Sequence, residues 1–167
     1  MLAFQQCIGS RILGPIEMGE AFQFHMGEYR ASIPCHLRYS HNHMWLQGDS
    51  HVRKMGFTDY AVRLLQDVYF LEWVVDVDQK LVKNQQIGMI ESSKAEADLY
   101  APFSGKVHVF NDQLMDDPSS INVDTYGKGW LFELESAFDS SLSADAYLGY
   151  LEENWEETQR KIKGQYN

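Results

Sequence analysis

The sequence predicts a mainly β fold, a small sandwich or barrel with short helices and one C-terminal amphipathic helix. Many short runs rich in Val, Ile, Phe, Tyr and Trp follow residue 36, separated by turn residues. That pattern points to a sandwich or barrel and away from a layered βαβ chain. Beyond Ser143, the apolar residues Tyr147, Leu148, Leu151, Trp155 and Ile162 follow helical i, i+3, i+4 spacing.

The elements can be placed in order. Gly9, Gly14, Pro15, Gly19 and Gly27 punctuate the start too often for a long helix or strand, so residues 1–35 are expected to be an irregular extension. Met44-Trp45-Leu46, the turn Gln47-Gly48-Asp49 and the return run Ser50 to Phe57 predict a hairpin. Thr58 suits the N-cap of a short helix over Asp59 to Leu65, whose first acid complements the helix dipole. Val68 to Leu71 and Trp73 to Val75 form the strongest β run. Further short strands are expected at Leu81-Val82, Ile87–Ser93, Glu96–Tyr100, Gly105–Asn111 and Trp130–Glu135. Ser143 suits a helix cap, and the C-terminal helix (142–167) should pack its apolar stripe on the main domain (36–141).

Composition narrows the function. A chain of 167 residues with 44% apolar residues is long enough to bury a core in one domain with an appendage. Its net charge of −10 argues against nucleic acid, which is bound largely through basic groups, and against an anionic membrane surface. No apolar run approaches bilayer length, and the first 20 residues lack the continuous apolar segment of a signal peptide, so a cytoplasmic protein is expected. Cys7 and Cys35 are too few for a disulfide framework, and fit either a redox pair or two unrelated buried thiols. His36, His41 and His43 beside Cys35 raise a metal-binding or scaffold module. Without a C-x-x-C pair or a second ligand cluster, a structural role is favoured and no metal ligand is assigned. No nucleophile elbow, P-loop or dinucleotide fingerprint is present.

The stretch ESSKAEADLYAP at 91–102 places one lysine in a polar turn between two strand-like runs. With Leu37-Arg38-Tyr39-Ser40, His43-Met44-Trp45, GFTDYA at 56–61, NVDTYGKGW at 122–130 and the helix start Ala144 to Tyr147, it resembles the H protein of the glycine cleavage system. The resemblance rests on the order and spacing of these segments across residues 37–150. It implies a barrel-sandwich hybrid of the lipoyl/biotinyl-carrier type, with lipoate attached to Lys94. It also implies a carrier, not an enzyme, shuttling an aminomethyl intermediate between glycine decarboxylase and aminomethyltransferase. Dihydrolipoamide dehydrogenase then reoxidises the arm. A lipoate ligase or a lipoyl/octanoyl transferase would install the group.

The residues agree with this implication. A swinging arm needs a primary amine at the end of a rigid hairpin, and strands 87–93 and 96–101 meet at Ser93-Lys94-Ala95. Ser92, Ser93 and Ala95 leave the amine unobstructed, while Glu91, Glu96 and Asp98 form an acidic recognition surface around the arm. Exposed primary amines are almost fully protonated at neutral pH, so acylation depends on an enzyme that activates the lipoyl group. Biotin is disfavoured, because its lysine sits between methionines.

The departures from the family pattern also carry expectations. Met44 replaces an acid, Thr125 a proline, and Asp78 and Asn84 replace glycines. Asp and Asn tolerate left-handed backbone best among non-glycine residues. Gln66 replaces another glycine, which puts the turn before Asp67 in question, and the chain beyond Leu151 has no counterpart in a typical member. These departures and the two extensions favour a specialised paralogue, such as the H-like lipoate-binding proteins that serve sulfur oxidation beside heterodisulfide-reductase-like complexes.

Overall fold

The computed structural model of the chain describes residues 19–48, 50–137 and 140–164. In chain order the strands are β1 (Ala21–Met26), β2 (Tyr29–Pro34), β3 (Arg38–Tyr39), β4 (Met44–Gln47), β5 (Val52–Phe57), β6 (Val68–Trp73), β7 (Lys80–Leu81), β8 (Gln86–Ser92), β9 (Glu96–Tyr100), β10 (Gly105–Phe110) and β11 (Phe132–Glu135). The helices are α1 (Asp59–Leu65), α2 (Gln113–Asp116), α3 (Ser120–Val123) and α4 (Ala144–Gly164).

One sheet runs β3-β4-β5-β11-β10-β7 and a second runs β6-β8-β9. Their buried faces enclose the main core, in which Met44, Met55, Leu71, Ile87, Ile90 and Phe132 meet. The expected β4–β5 hairpin forms with Met44 opposite Phe57 and Gln47 opposite Lys54. Gly56 is required there, because a Cβ at that position would lie 2.7 Å from the Trp45 ring. Thr58 caps α1, its Oγ1 accepting the Ala61 N–H at 3.3 Å. Asp78 and Asn84 take left-handed backbones at φ 66° and 70°, so both stand in for glycine at their turns.

Part of the N-terminal extension departs from the irregular chain that its glycines predict. Residues 21–34 form the β1–β2 hairpin, registered with Phe22 opposite Ile33 and Met26 opposite Tyr29. Gly27 lies in the two-residue turn at φ 68°, so it builds the hairpin and does not break it. The signal was the alternation in AFQFHM, which buries Phe22, Phe24 and Met26 and exposes Gln23 and His25.

A second core forms between this hairpin and α4. Phe22, Phe24, Ala31 and Ile33 pack with Tyr39, Trp45, Tyr60, Tyr147 and Leu151. Tyr39 and Tyr147 stack at 4.5 Å, and Phe24 meets Trp155 edge-on at 5.6 Å. Ser143 caps α4 by accepting the Ala146 N–H at 3.1 Å. Polar contacts fasten the hairpin to α1. Asp59 accepts from the Ser32 N–H at 2.9 Å and the Tyr29 hydroxyl at 3.2 Å. Tyr126 accepts the Asp59 N–H at 2.9 Å and donates to the Ser32 carbonyl. The short helices α2 and α3 were not predicted from the sequence. No helix among the described residues is long and apolar enough to cross a membrane.

Candidate functional site

Lys94 lies exposed at the tip of the β8–β9 hairpin, between exposed Ser93 and Ala95. Buried Ser92 shapes the turn. Its Oγ accepts the N–H groups of Lys94 and Ala95, both at 3.3 Å, and donates to the Ala95 carbonyl at 3.2 Å. One hydroxyl therefore satisfies turn amides that would otherwise need water.

Ser93 ties the tip to the start of β6. Its N–H donates to the Asp67 carbonyl at 2.9 Å, and its Oγ accepts the Asp67 N–H at 3.2 Å. Asn122 clips the same segment from α3, accepting the Val68 N–H at 2.9 Å and donating to the Gln66 carbonyl at 2.6 Å. Asp67 and Asn122 were missed in the sequence because they support the lysine from distant segments. The tip is thus a rigid mount, held on one side by its own serine and on the other by the β6 strand.

Gln66 occupies a backbone conformation usually reserved for glycine, at φ 62° and ψ −139°. The turn before Asp67 therefore keeps a glycine-like shape with glutamine in it. The Gln66 N–H bond to the Val62 carbonyl at 2.8 Å and the Asn122 clip hold it there. Such conformations cost about 1–3 kcal/mol. Replacing Gln66 by glycine should relieve that strain, partly offset by the greater freedom of glycine in the unfolded chain. Urea unfolding should show Gln66→Gly more stable by about 1 kcal/mol; equal or lower stability would mean that the turn is unstrained.

The acidic residues fall on the outer face of the β6-β8-β9 sheet. Glu91 lies between Phe70 and Glu96, and Met89 between Glu72 and Asp98. Glu91 directly faces Glu96, and like charges opposite one another are destabilising, so this row costs the fold something. Asp98 accepts from Gln86 Nε2 at 3.0 Å and more weakly from the Tyr100 hydroxyl at 3.4 Å. Phe70, Met89 and Tyr100 add exposed apolar surface among these acids. Strand alternation from Lys94 outward, applied to β6 as well as to the hairpin, could have found that mixed face.

Beside the tip opens a groove of about 280 Å³, lined by Lys94 together with residues of the β1–β2 turn, the end of α1 and the last turns of α4.

His41 and His43 lie against tyrosines of the second core. His43 takes a left-handed backbone at φ 67°, and its Nδ1 is 2.9 Å from the Tyr147 hydroxyl. That hydroxyl is 2.9 Å from Thr58 Oγ1, linking α4 to the cap of α1. Burial, with a smaller contribution from His41, lowers the His43 pKa to about 4. Burial likewise raises the Tyr147 pKa well above that of an ordinary phenol. His41 meets Tyr150 edge-on at 5.1 Å, while His36 is exposed and Cys35 is buried. Cys7 lies outside the described residues. No three His, Cys, Asp or Glu side chains gather as a metal site among the described residues.

The other departures are absorbed by packing. Met44 is buried in the main core. Thr125 donates to the Ile121 carbonyl at 2.9 Å, and its own carbonyl accepts the Trp45 indole N–H at 3.0 Å.

The chain's relatives share this framework. The family model described as "Glycine cleavage H-protein" matches residues 37–160, so the match continues past Leu151 into the helix tail that was expected to be unmatched. The glycine cleavage system H protein of Carboxydothermus hydrogenoformans is 38% identical over 128 residues, covering 74% of this chain and 98% of that protein. The one from Mycolicibacterium gilvum is 43% identical over 123 residues, covering 72% of this chain and 90% of that protein. The crystal structure of a glycine cleavage system H protein from Mycobacterium marinum superposes with a TM-score of 0.63 at 30% identity, covering 73% of this chain and 98% of that one. With this match in sequence and fold, the chain belongs to the glycine cleavage H-protein family.

Proposed function

We propose that Lys94 carries a covalently attached lipoyl group and that the protein is a carrier, without catalysis of its own, moving a one-carbon fragment among the enzymes of glycine cleavage in the cytoplasm. The observation that carries this reading is the tip itself, an exposed lysine between two small residues on a turn fixed by Ser92, Ser93 and Asp67. These residues fit the group. The amine is accessible, small neighbours leave an acylating enzyme room to surround it, and hydrogen bonds from Ser92 and Ser93 brace the turn beneath it. A lipoyl group there would supply a dithiolane that accepts the fragment, hands it on and cycles between disulfide and dithiol.

The protein's own residues position and recognise. Ser92 and Ser93 fix the direction in which Lys94 leaves the hairpin, and Asn122 fixes the strand beneath it. The sheet face of Glu91, Glu96 and Asp98 attracts enzymes whose active-site entrance is basic, and Phe70 and Met89 give the docked partner apolar contact. Partners by this reading are a lipoate ligase or lipoyl/octanoyl transferase, glycine decarboxylase, aminomethyltransferase and dihydrolipoamide dehydrogenase.

The test has two stages. Intact-mass measurement after co-expression with a lipoate ligase and lipoate should show one lipoyl adduct, and the modified protein should support glycine–bicarbonate exchange with the decarboxylase from the same source. Full modification without exchange would reject glycine cleavage while leaving a lipoyl carrier. Glu96→Lys with Asp98→Lys should then slow exchange at low salt more than at high salt, because screening removes long-range steering. An equal effect at both ionic strengths would remove the acidic face from recognition.

A further inference from the structure

The segment NVDTYGKGW at 122–130 runs from the end of α3 into a tight loop. The Asp124 carbonyl accepts the N–H groups of Gly127 at 3.0 Å and Gly129 at 2.9 Å, and its carboxylate accepts the Lys128 N–H at 2.8 Å. A Cβ at Gly129 would lie 2.6 Å from the Ser120 carbonyl oxygen, so the loop closes directly against α3. Two side chains of this segment reach α1. The Tyr126 hydroxyl accepts the N–H of Asp59, the first residue of the helix, and the Asn122 carboxamide donates to the carbonyl of Gln66, its C-cap. Helix ends leave such groups without partners inside the helix. One short segment therefore holds α1 at both ends.

Beyond α1 the chain runs straight into the support of the tip. Gln66 holds a left-handed φ of 62°, Asp67 exchanges two hydrogen bonds with Ser93, and Val68 faces Ser92 across the sheet. The β6–β8 ladder is interrupted between Val68 and Phe70, so regular pairing does not carry rigidity down to Asp67. Asn122 meets that weak point, accepting the Val68 N–H while it donates to Gln66. We propose that Asn122 and Tyr126 are positioning residues for acylation of Lys94, acting through α1 and Asp67 to hold the tip in the geometry an acylating enzyme needs. The inference rests on Lys94 being the lipoyl lysine. An amine at the end of a loosened hairpin still meets reagents in solution. It spends less time aligned with an activated acyl group held inside an enzyme, and alignment sets the rate there.

The experiment uses the full unmodified chain with a lipoate ligase, lipoate and ATP, and follows the adduct by intact mass over a range of protein concentrations. Asn122→Ala should lower kcat for modification about tenfold with KM near that of the parent, because the acidic sheet face that attracts the enzyme is unchanged. Asn122→Asp, which keeps the acceptor for the Val68 N–H, should recover part of the loss. Tyr126→Phe, which deletes only the hydroxyl, should show a smaller fall of the same kind. Acetylation of Lys94 by the N-hydroxysuccinimide ester of acetic acid, read by peptide mass, should keep the parent's rate in every variant, since it needs only a reachable amine. Amide exchange should quicken at Ser93 in Asn122→Ala, while Val107 and Leu134 in the large sheet keep their protection. An unchanged kcat in folded Asn122→Ala would overturn the inference and leave the carrier reading standing. A raised KM at constant kcat would assign Asn122 to docking, and equally slowed acetylation would assign it to the exposure of the amine; either result overturns positioning. Should Asn122→Ala fail to fold, the same readings on Asn122→Asp and Tyr126→Phe decide. Absence of an adduct on the parent would remove the carrier reading and this inference together.

Discussion

Lys94→Arg should lose every trace of lipoyl adduct and all glycine–bicarbonate exchange while unfolding at nearly the same urea concentration as the parent. The effect is all-or-none because arginine's guanidinium keeps the charge but offers no amine for a stable amide. The structure gives the substitution little else to disturb. Lys94 is exposed, and the turn is held by the Lys94 backbone N–H, which arginine retains. Exposed substitutions usually change stability by no more than about 0.5 kcal/mol. An adduct that persists in the variant would place the attachment elsewhere. A large loss of stability would show that the Lys94 side chain itself supports the tip.

The second large effect is a loss of stability on the acid side that depends on His43. In the folded chain this imidazole is walled by Tyr60, Tyr147 and Tyr150, and its pKa is lowered to about 4, below the 6.5 of an ordinary histidine. The unfolded chain therefore binds a proton at a higher pH than the folded one. Stability is fully present above about pH 6.5, falls as pH drops towards 4, and levels off once both states are protonated. The span corresponds to about 3 kcal/mol. His43→Asn should flatten that slope, because asparagine does not titrate and tolerates the left-handed backbone. It should also cost some stability at neutral pH by removing the bond to Tyr147. Urea midpoints measured from pH 4 to 7 check this. Parallel slopes for parent and variant would assign the acid sensitivity to other groups.

The sequence revealed most where physical rules act locally. Thr58, Ser143 and the β4–β5 hairpin are set by capping and alternation within a few residues, and they lie where the sequence places them. The place of Lys94 at a hairpin tip was legible for the same reason, because the turn and both of its strands sit in one continuous stretch. The β1–β2 hairpin was hidden by its glycines, although the alternation of Phe22, Phe24 and Met26 marked it. What remained illegible is assembled from distant segments. Asn122 reaches the β6 start from α3, Trp155 and Ile162 reach the groove from α4, and no spacing rule brings them to Lys94. His43 looked like a possible ligand because the sequence does not show its neighbours. Three tyrosines and a hydroxyl partner make it a half-buried structural residue at the edge of the second core.

The Asn122 clip also sets an order of events during synthesis. The β8–β9 hairpin is local and can close within microseconds of leaving the ribosome. The pairing of Phe132 with Met55, which closes the large sheet, must wait for much later chain. Asn122 stands between these stages, because it fastens the strand beneath Lys94 only after α3 has been made. A nascent chain therefore displays its lysine before it displays the finished mount. An acylating enzyme that reads only the sequence around the turn would act on incomplete molecules and commit cofactor to chains that still have to fold. One that reads the braced tip acts only after the molecule has passed its own assembly check.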